Sequence, residues 1–306
     1  ALATTLTNRN LSDRLRWSVC RAMEYMCEKA AGNNVISALV TELLKGSKSD
    51  KRHVCDALET MSSKVATPEA ISVLITAILK GDQSAKGSAC IALGGMGEKA
   101  ATHEVITALM VLTMDQDQNT LVKENACRAL GMIGRKPRNP EAVSALKTIL
   151  QDQHLNETIR ASACYALGEI DQETVTKEVI NVWVDMLGDE SSSVKTAVCN
   201  VLGEMDRNSA TDEIILKLQT VFLKGKQSVK ESVCEALEKM GEKAARYDVI
   251  GTLVVALMDR NQDERLKRRV CGTLGKMGEK AAQDNVIDAL LTTLTDPNQS
   301  VWLKHT

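Results

Sequence analysis

The chain has 306 residues, 44% of them hydrophobic and 25% charged, with a formal net charge of −2. This balance gives no overall field that favours nucleic acid or an acidic surface. No apolar run approaches the roughly 20 residues that span a bilayer, and no charged, apolar, small-residue leader opens the sequence. A cytoplasmic protein with no membrane contact is expected. Aromatic residues make up only 2%, so the core must be Leu, Val, Ile, Ala and Met.

Read in chain order, residues 1–10 (ALATTLTNRN) match residues 289–298 (ALLTTLTDPN) at seven of ten positions. The sequence therefore opens inside the second helix of a preceding unit. Two kinds of amphipathic helix then alternate, with apolar residues at spacings of three and four. First helices are predicted at 12–26, 49–61, 85–96, 120–133, 157–170, 192–205, 228–240 and 264–277. Second helices are predicted at 34–45, 68–80, 104–114, 140–151, 177–187, 212–224, 248–258 and 285–295. Thr67-Pro68-Glu69 and Asn139-Pro140-Glu141 each place a capping side chain, a proline at the first helical position and an acid in the first turn. Gly241 offers a helix stop, since glycine enters the left-handed cap conformation at little cost. Residues 300–306 begin a ninth first helix.

The register is carried by Cys20, Cys55, Cys90, Cys127, Cys164, Cys199, Cys234 and Cys271, spaced 35, 35, 37, 37, 35, 35 and 37 residues apart. Ala stands two after the cysteine except at Val201 and Thr273, Leu three after except at Met23, and Met or Ile six after. Fifteen residues after each cysteine the apolar face of the second helix begins, at Val35, Ala70, Val105, Ala142, Val179, Ile214, Val249 and Val286. A pair of short helices cannot bury its apolar faces alone, and self-similarity at this period means a stacked array. The expected fold is all-α: one solenoid over residues 1–306, with about eight two-helix repeats and a partial repeat at each end. The open ends, Leu2 and Leu6 on one side and Val301 and Trp302 on the other, predict end-to-end self-association and an array excerpted from a longer one.

Geometry opposes disulfides among the nine cysteines. Stacked helices lie about 8–10 Å apart, beyond the roughly 7 Å that a bridge tolerates between Cα atoms. One cysteine per repeat also makes no zinc cluster. Buried, reduced thiols are the expectation, with Cys27, at the place of a capping glycine, the most reactive.

The pattern V-K/R-x-x-A-C-x-A-L-G-x-M-G followed by a V-I-x-A-L helix resembles the HEAT repeat, in the HEAT-like variety also found in phycobilisome lyases. Residues 160–168 (RASACYALG) and 123–131 (KENACRALG) match most closely. The resemblance covers essentially the whole chain and implies a right-handed superhelix whose second helices line a concave side. It is specific for fold and poor for function, because such repeats serve many unrelated proteins. The spelling M-G-E-K-A-A at Met96, Met240 and Met277 resembles long arrays attached to larger signalling proteins.

Four constellations bear on function. A basic residue stands four before each cysteine: Arg16, Lys51, Lys86, Lys123, Arg160, Lys195, Lys230 and Lys267. It reads either as a phosphate-binding stripe or as a ladder onto Asp152, Asp189, Asp259 and nearby carbonyls at the ends of second helices. The ladder is the expectation, given the balanced charge. Some HEAT-like enzymes hold iron through several His-Glu pairs, but here only His103-Glu104 has that form, so no metal, cofactor or catalytic residue is assigned. HEAT-like DNA glycosylases use basic concave surfaces with aromatic residues, whereas the basic runs Arg135-Lys136-Pro137-Arg138 and 265–269 (RLKRR) read as solvated faces.

The fourth constellation is the outward side of the second helices, two and six residues beyond the first apolar position. It comprises Ser37, Thr41, Ser72, Thr76, Thr107, Val111, Ser144, Thr148, Asn181, Asp185, Leu216, Thr220, Gly251, Val255, Asp288 and Thr292. The adjoining column of Val40, Ile75, Met110, Val184, Val254 and Leu291, broken by Lys147 and Gln219, either packs between repeats or forms an apolar groove. The function these observations imply is a non-catalytic scaffold that binds a protein or peptide along the concave face. A nucleic-acid-binding solenoid is the alternative.

Overall fold

The computed structural model describes residues 66–135, 139–170, 176–205 and 210–295, with the isolated positions Arg14, Leu15, Ser18, Val19 and Ala22. The described residues form α1 (Pro68–Lys80), α2 (Gln83–Met96), α3 (His103–Met114), α4 (Thr120–Gly134), α5 (Pro140–Gln151) and α6 (Glu157–Glu169). They continue with α7 (Lys177–Met186), α8 (Ser192–Glu204), α9 (Asp212–Lys224), α10 (Gln227–Met240), α11 (Tyr247–Met258), α12 (Glu264–Lys276) and α13 (Asp284–Thr295). Even-numbered helices are first helices and odd-numbered ones second helices. The chain divides into two compact units, Ala1–Val175 and Thr176–Thr306, so α1–α6 belong to one and α7–α13 to the other. The predicted second helix 34–45, the first helix 49–61, most of the first helix 12–26 and both open ends lie outside the described residues.

Local chemistry sets the boundaries. The side chains of Thr67, Thr102, Asn139 and Thr211 accept backbone N–H groups at the starts of α1, α3, α5 and α9, satisfying donors that a helix start leaves open. Gly97, Gly241 and Gly278 have positive φ of 55°, 61° and 67°. At Gly241 ψ is −131°, so this residue does not make the expected left-handed cap. It occupies the mirror-image extended region that only glycine enters freely. Each of the three glycines then opens a single 3-10 turn spelled GEKA, Gly97–Ala100, Gly241–Ala244 and Gly278–Ala281. The M-G-E-K-A-A spelling is thus the turn that reverses the chain between the two helices of a repeat.

Within each unit, first helices stack on first helices and second helices on second helices. The first helices come closest, and the motif glycine four after the cysteine explains why. A Cβ at Gly94 would stand 3.0 Å from the Cα of Ala129, and one at Gly131 would stand 3.0 Å from the Cβ of Ala166. At Gly203 it would be 2.9 Å from the Cα of Ala236. Each glycine of one repeat therefore receives the alanine column of the next, and any side chain there would force the backbones apart. Between α10 and α12 the pair is Glu238 and Thr273, and these helices approach less closely. There the Thr273 hydroxyl lies 3.2 Å from the Cys234 carbonyl across the interface.

The cysteine column lies in the core. Cys90, Cys127, Cys164, Cys199 and Cys234 are free and fully buried, and Cys271 is half-buried. Burial raises all the thiols with a resolved shift, Cys127, Cys199 and Cys234 to about 12. They pack as small apolar groups. Cys20, Cys27 and Cys55 lie outside the described residues.

Candidate protein-binding face

Among the described residues the basic ladder sits against the connections between repeats; Arg16 and Lys51 lie outside them. The second helices α3, α5 and α11 are each followed by an aspartate that turns back on its own chain. Asp115, Asp152 and Asp259 accept the backbone N–H two residues on, at 3.0, 2.9 and 2.9 Å. Asp189, in the connection after α7, does the same to Ser191 at 2.8 Å. The Asp115 carboxyl is held below its ordinary range first by the Asp117 N–H, then by Gln118, with Lys86 and Lys123 adding positive charge. Asp259 is lowered in the same way by the Asn261 N–H and by Gln262, with Lys267 and Lys230 contributing. Cations from two successive first helices thus bracket one turn. Arg160, only 3% exposed, donates from Nε to the Leu150 carbonyl at the end of α5, at 3.0 Å. Lys267 is equally buried, Lys86 donates to Gln118 at 3.1 Å, and Lys230 sits 5.7 Å over the Phe222 ring. These side chains brace the connections between repeats.

His103 also proves local. It opens α3 behind the capping Thr102, and its Nδ1 meets the Glu141 carboxylate at the start of α5. Among the described residues no three His, Cys, Asp or Glu side chains gather as a metal site would require.

The outer surface carries ion pairs that sequence reading missed. Arg135 pairs with Glu169, Lys239 with Glu204, Arg265 with Glu231 at 3.1 Å and Arg269 with Glu235 at 3.6 Å. Partners stand 34 or 35 residues apart, one repeat along the same face, so the repeat length itself was the available signal. Such exposed pairs each contribute little.

The outward row of second helices is at the surface. Ser72, Thr107, Val111, Ser144, Thr148, Asn181, Asp185, Leu216, Thr220, Val255, Asp288 and Thr292 are exposed, and Thr76 and Gly251 partly so. Ser37 and Thr41 lie outside the described residues. The threonines six beyond the first apolar residue donate back to the carbonyl one turn earlier. Thr76, Thr148, Thr220 and Thr292 reach Ser72, Ser144, Leu216 and Asp288 at 3.0, 3.0, 2.9 and 2.7 Å. Their methyl groups and satisfied hydroxyls make a low, weakly polar surface. The adjoining column packs between repeats where the structure shows it: Ile75 and Val184 are buried, Met110 and Val254 half-buried, and Leu291 remains exposed. Gln219 in that column donates to the Asp248 carbonyl at 2.9 Å and the Thr252 hydroxyl at 2.8 Å on the next second helix. A continuous apolar groove along this column is therefore absent from the described residues.

Comparison with known proteins agrees with this geometry. Residues 73–155 and 106–180 match the family described as HEAT repeats. No curated protein matches significantly. Among solved structures, the chain is similar to the karyopherin Kap121p bound to the SUMO protease Ulp1p, with a TM-score of 0.69 at 14% identity. A second structure, Kap121p bound to the extreme C-terminus of the protein phosphatase Cdc14p, gives 0.70 at 14% identity, and importin beta gives 0.60 at 18%. The alignments take in 96–98% of this chain but only 35–44% of those proteins, so it spans well under half their length. The family match thus runs over residues 73–180, and the chain carries the α-solenoid fold that these HEAT-repeat structures share.

Proposed function

We propose that this solenoid is a non-catalytic scaffold that binds a protein or peptide along the face lined by its second helices. The observation that carries this reading is the outward row, with one position after another exposed, small or apolar, and nearly uncharged, while the described ladder cations of the first helices sit against the connections between repeats. A surface of that kind suits a polypeptide better than a phosphate backbone, whose binding depends on accessible Lys and Arg. Similar solenoids seen with a SUMO protease or a phosphatase C-terminus bound support the partner class. The fold alone would not, because one fold hosts many functions. The reading covers a single continuous array with cytoplasmic exposure and no cofactor.

Site-specific photo-crosslinking tests it. A photoreactive residue at Thr107, Ser144, Thr220 or Val255 should capture a protein partner, and one at the exposed outer positions Arg128 or Tyr165 should not. Capture confined to the outer positions would sink the reading. So would tight binding of DNA or RNA that weakens steeply with salt, which would favour the nucleic-acid alternative.

A further inference from the structure

The outward row changes character on α9 and α11. Where α1 exposes one large apolar residue, Leu79, α3 one, Val111, and α5 none, these two helices together expose Leu216 (39%), Leu223 (61%), Val255 (71%) and Met258 (45%), and α13 continues with Leu291 and Leu294. Single exposed apolar residues need no explanation. Of these four, Leu223 and Met258 occupy matching positions nine beyond the first apolar residue, and Leu216 and Val255 lie on the same side nearer the starts of these adjacent helices, which Gln219 ties together.

The two margins of this patch carry opposite charge. Asp212, Glu213 and Asp248 stand at the N-terminal ends of the helices, with Arg246 pairing to Asp212 at 2.8 Å and to Asp248 at 3.2 Å. Three acids against one cation leave that margin negative. At the C-terminal ends stand Lys224, Lys226 and Arg260, none with an ion pair among the described residues. The acids beside them are Asp263, which caps α12, and Asp259, which accepts from Asn261 and Gln262 and lies in the field of Lys267 and Lys230, so this margin stays positive. Lys217 lies between the margins. Acids at helix starts and cations at helix ends also favour the helix dipole, which accounts for their presence without removing the field they set across the patch.

We infer that α9 and α11 dock an amphipathic helix of a partner protein, lying across them on the exposed Leu and Val residues. Its basic flank faces the acidic margin and its acidic flank the basic one. Neighbouring helices lie about 8–10 Å apart, and seven residues of helix rise about 10 Å, so apolar anchors at i and i+7 reach both rows. This inference rests on the second-helix face being the binding face and adds the class of ligand.

The test is selection from a display library of helix-forming peptides of about 18 residues, with a fixed apolar stripe and randomised flanks, against the folded chain. Enriched peptides should carry acid on one flank and base on the other. K224E/K226E should abolish the acidic-flank preference. L223E/V255E should lower capture about tenfold or more, as loss of central anchors does, with an unchanged thermal melt; L223S/V255S serves if the glutamates disturb folding. The inference is overturned by no enrichment, by flanks of a single sign, by a preference that survives K224E/K226E, or by capture undiminished in both anchor variants. Crosslinking from the second helices is blind to charge, so it can succeed while this selection fails, and the two readings are separable.

Discussion

Gly131 gives the sharpest test of how the repeats are held together. A methyl group there would lie 3.0 Å from both the Cβ and the carbonyl oxygen of Ala166, and 3.1 Å from its Cα. Two of those atoms are backbone and cannot rotate away, so α6 must shift as a body. Overpacking of this kind costs about 1–3 kcal/mol. Replacing glycine by alanine inside a helix otherwise gains about 0.8–1 kcal/mol. Gly131→Ala should therefore destabilise by about 1 kcal/mol net, the steric term outweighing propensity. Gly251→Ala supplies the control, because it lies within α11 and a Cβ there meets nothing within 4 Å. It should stabilise by about 1 kcal/mol through propensity alone. Urea unfolding followed by far-ultraviolet circular dichroism reads both, and the midpoints should move in opposite directions. If Gly131→Ala stabilises as much as Gly251→Ala, the helices separate freely and the motif glycine is not there for close packing.

Further outcomes are expected. Arg160→Met should lower stability by about 1–3 kcal/mol, because it strips the Leu150 carbonyl of a buried donor; an unchanged urea midpoint would contradict the bracing role. Asp259→Asn should lower the midpoint by leaving buried Lys267 without its counter-charge, and Lys267→Met in the same chain should recover part of the loss. The lowered Asp115 and Asp259 carboxyls give stability that is present above the ordinary value of 3.8 and lost as pH falls through their native values, so Asp115→Asn and Asp259→Asn should flatten the acid limb of the stability profile. For the thiols the sign reverses: above the ordinary value of 9.0 the unfolded chain ionises while buried Cys127, Cys199 and Cys234 stay protonated. Stability should therefore fall as pH rises past that value, and Cys271 should react with a thiol reagent before the five fully buried cysteines. Equal labelling rates at all six would refute the burial.

The sequence by itself determined the helices, because a repeat states its own boundaries many times over. Pro68–Lys80, Pro140–Gln151 and Asp212–Lys224 end where periodicity and capping chemistry placed them, and five of the six described column cysteines are fully buried because the described first helices turn the same face inward. It also made the ladder legible, since a cation at a fixed offset from the core cysteine falls beside the connection before its helix, although its partner there differs among the described repeats. Only the tertiary structure decided what depends on distances between repeats. Periodicity along one helix could not show that Gly131 meets Ala166, that Ile75 and Val184 are buried between second helices, or that Arg265 reaches Glu231. Nor could it show that Lys224 and Arg260 make no ion pair among the described residues while Asp259 accepts from Asn261 and Gln262. Those outcomes turn on how closely neighbouring helices approach, and a one-dimensional pattern states which faces meet without stating how near.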